Sequence, residues 1–147
     1  MQVEFQSRYS GKSNWDNVDD DDISCYISVE SPEGDIKGQR YPDEIVIPMK
    51  EIRIQYTYPL SNSVIMGFDA DNGTGFTRAE LARKVCDGYK RIYDAENAVG
   101  DPGRIPGMLN RAKSDGPYGI WGHDIGDLVL HEVRQINGNL FGLGVDS

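Results

Sequence analysis

The chain has 147 residues, 38% of them apolar and 10% aromatic, enough for one ordinary domain with a buried core. A net charge of −9 and a pI near 4.6 disfavour nonspecific attraction to nucleic acid or to an anionic membrane surface. No run of about twenty apolar residues occurs, so no membrane span is expected, and the opening MQVEFQSRYSGKSN lacks the apolar centre of a secretory leader.

The location these features predict is intracellular, with the cytoplasm favoured. The charge is uneven: residues 1–50 hold eleven Asp/Glu against five Lys/Arg. A basic protein partner is therefore expected at the amino-terminal third. Cys25 and Cys86 are far apart and lack metal-type spacing, so both are expected as buried free thiols.

In chain order, Gln2 to Phe5 reads as a short strand with Val3 and Phe5 on one side. Ser7 to Asn17 is polar and turn-rich, and the four carboxylates of Asp19–Asp22 repel one another into a solvated loop. Ile23 to Val29 reads as one strand, ended by a Ser31-Pro32-Glu33-Gly34 turn. Glu44 to Ile47 is a short β-branched run stopped by Pro48. Glu51 to Tyr58 has the period of a half-wet sheet, with Ile52, Ile54, Tyr56 and Tyr58 alternating with Arg53, Gln55 and Thr57. After Pro59 the chain can return through Val64 to Phe68 as an antiparallel neighbour.

Thr77 to Asn97 is the one segment with a clean helical period. Leu81, Val85, Tyr89 and Ile92, supported by Ala82 and Tyr93, fall on one face. Thr77 with Glu80 three residues on predicts a capping box. Gly88 weakens the middle by about 1 kcal/mol relative to Ala, so packing must supply the stability. Residues 98–119 hold three prolines and five glycines, which exclude a long regular element, although Met108 to Lys113 suits a short helical turn. Loops of this length are more often functional than idle. Asp127 to Ile136, the Asn137-Gly138 signal and the return to Val145 predict a closing hairpin. Gly142 and Gly144 leave one of its faces bare for another backbone or an aromatic ring.

Two motifs invite a chemical reading. Asp69 to Glu80 has carboxylates at positions one, three and twelve of a calcium loop, but Thr74 stands where that loop needs glycine and a strand precedes it. Glu80 already has a capping duty, so no calcium is expected. His123-Asp124-Ile125-Gly126 resembles the pair that names the HD-type metal phosphohydrolases. That resemblance covers four residues; the family pattern needs another histidine upstream and a helical bundle, and neither is present here. A catalytic metal needs about three converging protein ligands, so no metal and no cofactor are expected.

The stretch Gly116 to Leu130 gathers Tyr118, Trp121, His123, Asp124 and Asp127 between glycines. One reading is a structural corner in which Trp121 is buried and the carboxylates cap turns. The other is a hydrolytic or small-ligand site formed by Tyr118, Trp121 and His123, with His123 as general base, Asp127 orienting it and Asp124 beside it. FTRAEL with the Tyr89 and Tyr93 helix, taken with YGIWGHDIGDLVL, resembles small uncharacterised proteins of protists, algae and large DNA viruses over residues 76–136. The resemblance implies that the two stretches belong to one fold and implies no chemistry. The fold expected is a single α+β domain: an antiparallel sheet of about five to seven strands, with the 77–97 helix across one face. The function expected is a non-enzymatic interaction or structural module, with the hydrolytic or ligand-binding site as the alternative.

Overall fold

A computed structural model describes residues 1–9 and 12–147, so Ser10 and Gly11 of the polar amino-terminal stretch lie outside the described residues. The fold is α+β, built on a six-stranded sheet. Its central path runs β1 (Gln2–Glu4), β9 (Val129–Asn137), β10 (Leu140–Asp146), β6 (Glu51–Tyr56) and β7 (Val64–Asp69). β4 (Ile27–Ser28) pairs with the same edge of β9 as a short extra rung. Two small sheets flank it: β2 (Ser7–Arg8) with β3 (Ile23–Ser24), and β5 (Ile45–Ile47) with β8 (Phe76–Thr77).

The alternating strand behaves as its pattern requires. Ile52, Ile54 and Tyr56 are fully buried, while Arg53 stays in solvent. β6 pairs antiparallel with β7 along its whole length. The closing hairpin does not sit at an edge: β10 lies between β9 and β6 and runs parallel to β6, so the sheet is mixed. The faces of Gly142 and Gly144 are covered by the side chains of Ile136 and Glu132 on β9, rather than by a backbone or an aromatic ring.

Helix α2 (Arg78–Asn97) lies across the sheet with Leu81, Val85, Tyr89 and Ile92 buried. The phenol of Tyr56 donates to the Val85 carbonyl at 2.8 Å, and the Tyr56 and Tyr89 rings meet edge-on at 4.8 Å. A Cβ on Gly88 would stand 1.9 Å from that phenol oxygen. Gly88 is thus the place where the sheet's largest side chain enters the helix, and its cost in propensity is offset by the packing it admits. Cys86 is buried on the same helix, and burial pushes its thiol up to about 12. Cys25 is exposed, against expectation, because the 23–29 segment divides into β3 and β4 with the cysteine between them.

Three other expectations are corrected. Pro32 opens a short helix, α1 (Pro32–Lys37), instead of a turn, since proline suits the first helical position. Residues 108–113 form no helix. The 104–111 segment folds on itself as a small hairpin, with Ile105 N–H donating to Asn110 O and Ala112 N–H to Gly103 O, both at 3.0 Å. The capping box is half formed: Thr77 Oγ1 accepts from Glu80 N–H at 3.1 Å, but the Glu80 carboxylate turns away to the Asp71 amide. Among the described residues no helix is long and apolar enough to cross a membrane.

Candidate functional site

The corner at 116–130 is positioned by a residue that the motif reading passed over. Glu96 lies on the same stripe of α2 as Val85, Tyr89 and Ile92, and it is 0% exposed. Its carboxylate accepts from Ser114 Oγ at 2.6 Å and from the amides of Tyr118, Gly119 and Ile120 at 3.1, 2.7 and 3.3 Å. Burial by itself would raise its pKa; the hydroxyl and the three amides outweigh that and hold it below the usual carboxylate range. A Cβ on Gly116 would stand 1.8 Å from Glu96 Oε2, so this glycine makes room for the carboxylate. The signal was available in the sequence: a carboxylate four residues beyond Ile92 continues the apolar stripe, and only a dedicated set of donors lets it be buried there.

From this anchor the expected site residues separate. Tyr118 is half-buried and packs on the core. Trp121 is 46% exposed, which overturns its role as a buried anchor; its indole meets the Tyr58 ring in a T-shaped contact, at 6.4 Å between centroids. The reason is backbone: Trp121 N–H is drawn to Pro59 O and Ile120 turns inward, so the next side chain must turn out.

His123 and Asp124 share Asp127, whose Oδ2 accepts from Asp124 N–H at 3.1 Å in a capping box over the turn at Ile125–Asp127, the capping that the structural-corner reading expects of these carboxylates. Asp124 is held by Arg104 and, at 3.8 Å, by Arg111, whose guanidinium lies 5.4 Å from the centre of the Tyr93 ring. The His123 carbonyl accepts from Tyr93 Oη at 2.8 Å. Its imidazole faces Tyr58, with Nε2 3.1 Å from Ser147 Oγ and Nδ1 3.7 Å from Asp127 Oδ2. Tyr58 Oη also reaches Ser147 Oγ, at 2.7 Å. Leu109, Asn110, His123, Asp127 and Ser147 line an open cavity of about 340 Å³. A hydroxyl, an imidazole and a carboxylate thus stand in sequence at a surface depression. Ser147 and Tyr58, like Arg104 and Arg111, are functional candidates that spacing did not reveal, because each comes from a distant part of the chain.

The calcium-like loop holds a cation of its own. Lys84 Nζ lies 2.8 Å from Asp71 Oδ1 and 2.9 Å from Glu80 Oε2, and it also donates to the Asp69 carbonyl. Three oxygens of the apparent calcium loop therefore surround an ammonium group. Asn72 closes the turn by accepting from the Thr74 and Gly75 amides at 2.9 Å. Of the acidic run, Asp20–Asp22 form a 3-10 turn, and Asp22 pairs with Arg8. No family model, no curated protein and no solved structure matches this chain.

Proposed function

We propose that the protein is an interaction module acting through its 98–121 segment. The observation that carries this is a concentration of exposed apolar side chains on an ordered base. Leu109 is 93% exposed and Met108 54%, with Ile105, Val99 and Trp121 also in solvent. Large side chains displayed this way lose burial energy for the free protein and regain it against a partner. The base is fixed by the Arg104–Arg111 bridge, the Arg111–Gly122 bridge and the Glu96 carboxylate. A fixed base lowers the ordering cost of association.

A photocrosslinker placed at Leu109, with one at Ile65 on the outer strand as control, tests this. A defined partner crosslinked from position 109 only, and lost when Met108→Asp is added to that protein at unchanged melting temperature, is the expected result. Equal crosslinking from both positions removes the reading.

The Asp127–His123–Ser147 succession favours a second reading, hydrolysis by a serine nucleophile. In it His123 Nε2 accepts the Ser147 Oγ proton as the hydroxyl adds to an ester carbonyl, and returns that proton to the departing alcohol as its C–O bond breaks. The imidazole then activates a water that releases the acid and regenerates Ser147, with Asp127 steadying the imidazolium. A fluorophosphonate ester is the probe. Covalent labelling at Ser147, abolished by His123→Gln, supports this reading, and absence of labelling at Ser147 removes it.

A further inference from the structure

A cavity of about 470 Å³ lies against the acidic amino-terminal third, yet two arginines stand on its wall. It is lined by Gln2, Glu4, Gln6, Arg40, Tyr41 and Arg78. Its origin is a strand position that the chain begins to fill and then leaves. Residues 38–40 run antiparallel beside residues 6–8, with Arg8 N–H donating to Gly38 O at 3.1 Å and Arg40 N–H to Gln6 O at 2.8 Å. At Tyr41 the backbone enters the left-handed region, φ +53°, which a bulky residue rarely adopts, and the chain turns off. The place opposite Gln2–Glu4, where that run would have continued, is the cavity.

Hydrogen-bond parity shows which groups face it. Met1 O accepts from Gln135 N–H, so the odd residues of β1 turn their peptide groups to β9 and the even ones turn theirs outward. The Glu4 carbonyl, on that outward side, accepts from Arg78 Nε. Arg78 NH1 bonds Tyr41 O and Glu44 Oε2, both at 2.9 Å, and so fixes the end of the cavity. Arg40 is different. Its guanidinium lies 5.4 Å from the Trp15 ring centre and 5.0 Å from that of Tyr41, and NH1 donates to Gln6 Oε1. Among the described residues no carboxylate pairs with it.

We propose that this cavity takes an extended segment of a partner protein, added to the outer edge of β1, with an acidic side chain held by Arg40. The outward N–H and C=O of Gln2 supply the main-chain pairing that strand addition uses. The guanidinium, already oriented by two rings, offers its remaining donors to a carboxylate in a planar fork. Glu4 on the same wall disfavours a second acid beside the first. The charge of the whole segment pointed to a basic partner; the wall of this cavity selects a carboxylate. This rests on the interaction-module reading but uses a surface separate from the apolar tip.

The test is an amide-shift titration of the full chain with three blocked pentapeptides, Thr-Val-X-Val-Thr, in which X is Glu, Gln or Lys. Saturable shifts at Gln2, Glu4 and Arg40 with the Glu peptide, and binding at least about tenfold weaker for Gln, are expected from one charge-assisted pair. Arg40→Gln should remove that preference at unchanged melting temperature, and Arg40→Lys should restore only part of it. Equal affinity for the three peptides, shifts confined to residues 105–110, or no saturable shift overturns the proposal. Equal binding of glutarate, which would make this a small-anion site, also overturns it, as does concentration-dependent self-association through β1. A Met108→Asp/Leu109→Asp variant should bind the Glu peptide like the wild type, so failure at the tip and failure here remain separate results.

Discussion

Two parts of this molecule bury polar groups in opposite ways. Where α2 crosses β6, the buried polar atoms are phenols: Tyr56 reaches the Val85 carbonyl and Tyr89 the Tyr58 carbonyl, each at under 3 Å. Both rings also fill volume, so each hydrogen bond is a small addition to a large apolar contact. At the 116–120 corner the buried group is a carboxylate, and four donors converge on it. The first region should fail only when volume is lost. The second should fail when a single charge is lost. Each has its own glycine as a socket, Gly88 for the phenol and Gly116 for the carboxylate.

Tyr89→Ala should be the most damaging change, about 3–5 kcal/mol in chemical denaturation, because a buried aromatic leaves a cavity under the helix. A near wild-type unfolding curve would end the claim that this contact dominates. Glu96→Gln should cost about 2–3 kcal/mol, since an amide carries one acceptor oxygen where four donors wait. Gly116→Ala should act through the same atoms, so the double variant should be much less than additive. Full additivity would mean that the glycine and the carboxylate act independently.

The two regions should also separate in acid. The folded-state pKa of Glu96 is lowered, so its contribution is complete above the unfolded value, about 4.3, and is lost as pH falls through the folded value. Hydrogen exchange at the amides of Tyr118, Gly119 and Ile120 should therefore accelerate beyond the intrinsic rate below about pH 4, while amides of α2 stay protected. Uniform loss across both regions would contradict a separately held corner.

Smaller effects sharpen the contrast. Gly88→Ala should destabilise by about 1–2 kcal/mol, the overpacking against Tyr56 exceeding the gain in helix propensity. Stabilisation would show that the phenol can step aside. Smallest of all, Trp121→Ala and His123→Gln should each cost about 1 kcal/mol or less in thermal melts, because the indole is half in water and the imidazole sits at an open surface. A larger loss at Trp121 would return it to the core.

The sequence by itself determined the periodic elements. The three-and-four spacing from Leu81 to Ile92, the alternation from Ile52 to Tyr56 and the turn glycine after Asn137 each specify a local geometry whose apolar face must be buried, whatever covers it. Tertiary structure alone decided which distant residues share a bond. Gly88 counted as a weakness until Tyr56 was placed against it, and Glu96 has no visible duty until the loop returns over it. Lys84 likewise converts an apparent calcium loop into an internal ion pair, and Ser147 meets His123 only because β10 is inserted at the centre of the sheet. Local propensity depends on a few neighbouring dihedrals and is written in adjacent letters. A buried polar partner depends on where a long chain closes, and loop-closure entropy places little constraint on the sequence separation at which it does so.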